Sequence, residues 1–298
     1  MPRKPLSGLT IRSALARGRQ LGSIIACDLK KEEKNESHAY IIKWQSGEVT
    51  QSEANFNAHS ICEIALPQPA LLFVSEAGEY GLHYKGGSIA GDVFEDSSPA
   101  PSSPRRGGLR SVTRIADKGH AVGYRGMVYR LDRLKGWTRI DEGLPQKFNV
   151  EAIDGLSGED LYAVGNRGQI WQRVKGEWIK HDAPTNVDLN AVKCAGDGHV
   201  YAAGNAGVLV RGLKDTWAAV DHGEELDSVW DLEWFDGKLY LSTMDGVWVL
   251  SRKGLEPVDF GKDEPKSWYQ LSAAEDVLWS VGEYDIMAFD RKRWTRVV

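Results

Sequence analysis

Residues 161–182 read LYAVGNRGQIWQRVKGEWIKHD. An apolar run ends at Gly165, and the triplet Asn166-Arg167-Gly168 reverses the chain. A second run follows over 169–174, the pair Lys175-Gly176 turns again, and a short third run carries Trp178. Asn and Gly suit such tight turns because they adopt positive φ at little steric cost. The stretch therefore predicts a three-stranded antiparallel meander.

The meander recurs. Residues 122–141 read VGYRGMVYRLDRLKGWTRID and 202–221 read AAGNAGVLVRGLKDTWAAVD. Weaker copies are FVSEAGEYGLHYKGGSIAGDVFE at 73–95, LSTMDGVWVLSRKGLEPVD at 241–259 and SVGEYDIMAFDRKRWTRVV at 280–298. Trp137 and Trp178 are 41 residues apart, Trp178 and Trp217 are 39 apart, and Trp294 follows after 77, with Leu255 in the intervening slot. One more apolar run precedes each copy, at 61–64, 109–115, 150–153, 189–192, 229–232 and 268–271. Four short strands every roughly 40 residues is the period of a β-propeller blade. The fold class expected is all-β, a propeller of seven four-stranded antiparallel blades, with six blades plus an N-terminal arm as the alternative.

Size and composition agree with one repeat domain over residues 1–298. The 32 glycines suit many tight turns, and 11 tryptophans with 42% hydrophobic residues suit bulky packing between blades. The net charge of −5 argues against bulk attraction to nucleic acid. Cys27, Cys62 and Cys194 are odd in number and lack ligand spacing, so they read as buried thiols of a reducing compartment. The basic N-terminus has no apolar core of a signal peptide, and no run approaches 18 apolar residues. A cytoplasmic protein without membrane contact is expected.

In chain order, 1–53 is the least regular part, an irregular first blade or an arm, with a charged loop expected at 30–37. Blades are expected at 54–96, 109–143, 149–183, 188–223, 228–261 and 267–298. The segment 97–108, rich in Pro, Ser and Gly, reads as a mobile insertion. Because the last copy ends on an outermost strand, the first and last blades must join by plain packing or with help from the N-terminal segment.

The spacing V-G-x-x-G, then strand, turn and Trp, resembles bacterial propellers with neuraminidase-type repeats, photosystem-assembly-factor-like propellers among them. The resemblance covers about 220 residues and implies the fold. The full neuraminidase repeat has Ser-x-Asp-x-Gly-x-Thr-Trp at the last hairpin. Here those hairpins read LKGWT (134–138), VKGEW (174–178), LKDTW (213–217) and DRKRW (290–294), without the Ser and Asp. The arginine triad and tyrosine nucleophile of catalytic sialidases are not assignable, so no catalytic residue is carried over.

Propellers bind through the loops that lead into each inner strand and those joining the second and third strands. Aligning the inner strands puts His59, Arg110, Glu151, Asn190, Trp230 and Tyr269 at one shared position. The matching hairpin tips are Glu79/Tyr80, Tyr124/Arg125, Asn166/Arg167, Asn205, Asp245 and Glu283/Tyr284. A position serving packing alone keeps its residue type; this one varies among charged, polar and aromatic types, the pattern of an asymmetric recognition surface. The sharpest local feature is DHGEELDSVWDLEWFD at 221–236, with seven acids, no Lys or Arg, and Trp230, Trp234 and Phe235. Glu224, Glu225 and Asp227 would steer a basic partner, and the aromatics would anchor it; Trp234 is expected to be core. The seven histidines show no metal spacing, and no nucleophile elbow, phosphate loop or carboxylate pair is present. Neither cofactor nor metal is expected.

These readings point to a non-enzymatic protein-binding propeller, monomeric before binding. Its most specific form is a cytoplasmic bacterial immunity protein that neutralises a basic toxin domain. A carbohydrate-binding or carbohydrate-active propeller and an assembly factor for another complex are the alternatives.

Overall fold

The computed structural model describes residues 6–98 and 107–298. The first sheet is β1 (Leu9–Gly18), β2 (Leu21–Asp28), β3 (Ala39–Gln45) and β4 (Glu48–Ala54), with the short helix α1 (Leu29–Glu33) between β2 and β3. The second is β5 (Ala58–Ile64), β6 (Ala70–Ser75), β7 (Glu79–Tyr84) and β8 (Gly87–Asp92), and a two-residue strand β9 (Ser97–Ser98) follows. The third is β10 (Leu109–Ile115), β11 (Lys118–Gly123), β12 (Met127–Arg133) and β13 (Gly136–Arg139). The fourth is β14 (Val150–Ser157), β15 (Asp160–Gly165), β16 (Ile170–Val174) and β17 (Glu177–His181). The fifth is β18 (Leu189–Cys194), β19 (Val200–Gly204), β20 (Leu209–Leu213) and β21 (Thr216–Ala219). The sixth is β22 (Val229–Phe235), β23 (Lys238–Thr243), β24 (Val247–Ser251) and β25 (Gly254–Pro257). The seventh is β26 (Gln270–Ala274), β27 (Val277–Val281), β28 (Ile286–Phe289) and β29 (Trp294–Arg296). Within each sheet the four blade strands lie in chain order, the antiparallel up-and-down blade of a seven-bladed β-propeller. The first 50 residues thus supply a blade and not an arm.

The chain divides into two compact units, His59–Val220 and a second made of Met1–Ala58 with Asp221–Val298. In the first unit the tryptophans that set the period cover the preceding blade. Trp137 meets Tyr80 edge-on at 5.6 Å, Trp178 donates its indole N–H to the Ile140 carbonyl at 2.6 Å, and Trp217 meets Tyr162 at 6.1 Å. Inner strands carry unpaired backbone groups along one edge, and side chains of neighbouring blades fill them. Ser60 Oγ accepts from the Val112 amide at 3.0 Å, and Asp154 accepts from the Cys194 amide at 2.8 Å.

In the second unit the same device joins the sixth blade to the seventh and the seventh to the first. Asp231 accepts from the Leu271 amide at 2.9 Å, Gln270 Oε1 from the Ala14 amide at 3.0 Å, and Ser272 Oγ from the Ala16 amide at 3.0 Å. Trp279, fully buried, lies edge-on to Trp44 at 5.8 Å, and its ring fills the space over Gly22 where a Cβ would project. The first and last blades therefore meet by face packing and these hydrogen bonds, without an exchanged strand, and among the described residues β29 is paired only within its own sheet.

Three expectations are corrected. Part of the loop expected at 30–37 is helical, because Asp28 caps α1 by accepting from the Lys30 amide at 2.8 Å. The insertion expected to be mobile over 97–108 begins with β9, which pairs in parallel with β13 (Trp137 opposite Ser97) as a fifth strand of the third blade; 99–106 lie outside the described residues. Tyr80, expected at a hairpin tip, is fully buried, its hydroxyl donating to Asp96 at 2.7 Å. Cys27 and Cys62 are buried and Cys194 half-buried; all are unpaired, and burial pushes all three thiols up.

Candidate functional site

In every blade the inner strand starts at the same end at which the second and third strands are joined; this is the leading end. Four inner strands begin with a register irregularity opposite the second strand. It falls between Leu109 and Ser111, Val150 and Ala152, Leu189 and Ala191, and Val229 and Asp231. The residues displaced from pairing are Arg110, Glu151, Asn190 and Trp230, four of the six aligned in the sequence. Such a bulge turns one extra side chain out of the ladder, which is how sheets aim residues at a site. β1 has the same irregularity between Ile11 and Ser13, so Arg12 is the first blade's member of the set. The alignment missed it because α1 replaces the Gly-containing tip that marks register in the other blades.

In the unit His59–Val220 these side chains are engaged with one another. His59 Nε2 donates to the Arg110 carbonyl at 2.9 Å, and burial pulls the imidazole below its ordinary range. Arg110 Nε donates to Glu151 at 2.7 Å, and its guanidinium lies over the Tyr124 ring at 5.6 Å. Partial burial would lower the Arg110 guanidinium, but the Glu151 carboxylate and Tyr124 hydroxyl outweigh it and hold it raised. Asn190 donates to Asn205 at 3.0 Å. The tips Tyr124–Gly126 and Asn166–Gly168 share one conformation, with Arg125 at φ 59° and Arg167 at φ 60°. Each is fixed by the residue before the next inner strand: Asn149 accepts from the Arg125 amide at 3.2 Å, and Asp188 from the Arg167 amide at 2.7 Å. At Gly168 a side chain would drive into the Thr185 carbonyl, so the tip requires glycine. Both arginine side chains are exposed.

The leading end of the other unit is more apolar. Glu224, Glu225 and Asp227 lie exposed on the loop into β22, pinned by the buried Leu226. Of the seven acids of 221–236, Asp231 is spent on the Leu271 amide and Asp236 pairs with Arg291 at 3.2 Å, which narrows the set open to a partner. Trp234 is half-buried rather than full core, and Phe235 is buried. The amide of Asp245 and the indole of Trp248 both donate to Thr243 Oγ1 at 3.2 Å, fixing that tip. Tyr269 stands just ahead of β26. With Arg12, Gln270 and Glu283 it lines a cleft of about 320 Å³ whose floor is Ile11, Val281 and Gly282. Arg12 pairs with Glu32 of α1, and the Tyr284 hydroxyl donates to Glu283 at 3.0 Å, which raises the phenol.

Among the described residues no group of three or more His, Cys, Asp and Glu could hold a metal ion, and no helix is long and apolar enough to cross a membrane.

No family model matches the chain. It is 33% identical to the immune protein Tsi7 of Pseudomonas aeruginosa, over an alignment of 298 residues that spans 96% of each chain. The chain belongs to the Tsi7 family. Solved structures similar to this Tsi7-family chain are virginiamycin B lyase from Staphylococcus aureus (TM-score 0.73, 10% identity, 94% of each chain) and YCF48 bound to D1 peptide (TM-score 0.68, 14% identity, 94% of this chain and 93% of that one). A third is the WD40 propeller domain of Doa1 (TM-score 0.67, 10% identity, 96% and 91%). At these identities the likeness is one of fold alone.

Proposed function

We propose that this chain is an immunity protein that binds a toxin domain in the cytoplasm of the cell that makes it, and neutralises it by occupying its surface rather than by catalysis. The observation that carries this reading is the identity to an immune protein along nearly the whole of both chains. A propeller suits the task because its blades hold variable loops on a rigid frame, so contacts form without ordering a flexible chain. The toxin is basic in this reading. A net charge of −5 and the exposed Glu224, Glu225 and Asp227 favour encounter with a cationic surface. The protein is monomeric until it binds.

The test is co-expression. The product of the gene adjoining this one is produced in a laboratory bacterium alone and together with this chain. Growth arrest by the first, relief by the second and an equimolar complex on gel filtration are expected. Arrest that persists beside well-folded, abundant chain would overturn the reading.

A further inference from the structure

Nine large apolar side chains are exposed among the described residues, and they are not evenly spread. Val49 and Ile179 sit on outermost strands, and Leu66 and Leu156 lie away from the leading ends. The other five, Leu29 (40% exposed), Trp230 (42%), Met244 (54%), Tyr269 (49%) and Tyr284 (50%), all lie at the leading end of the unit built from the first, sixth and seventh blades. Single exposed hydrophobics are ordinary, but a concentration of aromatic and methionine side chains at one end marks a contact surface.

Backbone contacts make the five continuous. Val229 pairs with Thr243, which sets Trp230 beside the tip holding Met244. Ser242 Oγ donates to the Tyr269 carbonyl at 3.4 Å, and the Tyr269 amide donates to Val281 at 2.9 Å, next to the tip of Tyr284. The Ile11 amide donates to the Glu283 carbonyl at 2.8 Å, and Arg12 ties β1 to α1, where Leu29 sits. The other unit differs in kind: there the matching positions are polar and spend their groups on each other through His59, Arg110, Glu151 and Tyr124.

Charge selects the partner. Glu224, Glu225, Asp227, Asp245 and Glu283 flank the aromatics on the sixth and seventh blades. Arg12 is held by Glu32, and Lys262 and Lys266 share their loop with Asp263 and Glu264. α1 and its C-cap add Lys30, Lys31 and Lys34 beside Glu32 and Glu33, so the rim is mixed at the first blade and acidic at the sixth and seventh, where it is complementary to a protein surface with apolar anchors ringed by Lys and Arg.

Resting on the reading that the chain neutralises a toxin, we infer that the toxin docks on this leading end. Trp230, Met244, Tyr269 and Tyr284 form the energetic centre, and a side chain of the toxin enters the cleft between Arg12 and Tyr269. Interface energy concentrates in a few buried aromatic anchors, and salt-screened rim charges act mainly on the rate of encounter.

The test uses the full chain and the toxin that it relieves in co-expression, with Kd read by calorimetric titration and association rates by stopped-flow mixing. W230A with Y269A is expected to weaken Kd by about 100-fold. Glu224→Lys with Glu225→Lys is expected to slow association by about tenfold. Arg125→Ala with Arg167→Ala, in the other unit, is expected to change Kd by less than about threefold. All six side chains are exposed, and an unchanged thermal midpoint would show that each variant folds. The reverse ranking, with the arginine pair critical and the aromatic pair silent, would overturn this docking surface while leaving the immunity reading intact. Failure of the unaltered chain to bind any toxin would instead remove the immunity reading.

Discussion

His120 shows how a single residue of this fold couples to pH. It lies on β11 with 1% of its surface exposed, Nδ1 donating to the Lys118 carbonyl at 3.2 Å and Nε2 without a partner. Burial pushes its imidazole down to about 4, with the Arg130 charge adding to the effect. In an unfolded chain a histidine titrates near 6.5. Below that pH the unfolded state takes up a proton that the folded state refuses until about 4, so stability is intact above pH 6.5 and drains away as pH falls towards 4. His59, His83 and His181, all lowered by burial, pull the same way. The urea midpoint is expected to fall between pH 7 and pH 5, and His120→Asn, though less stable at pH 7, should lose part of that slope. Equal slopes in the two proteins would refute the assignment. Arg12 makes a different point about single residues. Nothing in its neighbourhood of the sequence repeats, and only the register of β1 against β2 places it with Arg110, Glu151 and Trp230.

At the scale of the element, the blades were legible where their hairpins obey local rules. Positive φ at Arg125, Arg167 and Ala206, each followed by glycine, makes the tips recognisable, and the tryptophan of the last strand gives the period. The first blade escapes this reading because β4 is exposed at six of its seven residues and carries no tryptophan, while α1 stands in place of a tight tip. β9 escapes it too, since two residues in parallel pairing leave no alternation to detect. Of the candidate surface, the loop acids and Trp230 could be picked out from composition. Met244 and Leu29 could not, because their role depends on which ends of which strands lie side by side. The tryptophans should be unequal in consequence. Trp137→Ala, at 1% exposure against Tyr80 and under β9, is expected to cost about 3–5 kcal/mol in urea unfolding. Trp217, half-buried, should cost clearly less on the same change. Equal losses would show that the period marks turn geometry and not packing.

For the whole molecule, the decisive feature is the junction of the first and last blades. Ala14 and Ala16 wait for Gln270 and Ser272, 256 residues further on, and the space over Gly22 waits for Trp279. All seven sheets are built from consecutive strands as the chain leaves the ribosome, yet the opening strand keeps its inner edge and apolar face uncovered until the final blade is made. A nascent chain of this kind keeps β1 uncovered until the strands of the seventh blade have been made, and a chaperone that holds unfolded apolar segments would find its target there. Ending the chain after residue 266 should therefore yield a protein that aggregates through its first blade, with Trp44 exposed, and hydrogen exchange should show β1 unprotected. Protection of β1 in the shortened chain would mean that the first blade stands without the last. The seventh blade is thus the last-made cover of the first, and β1 stays open to chaperones until that cover exists.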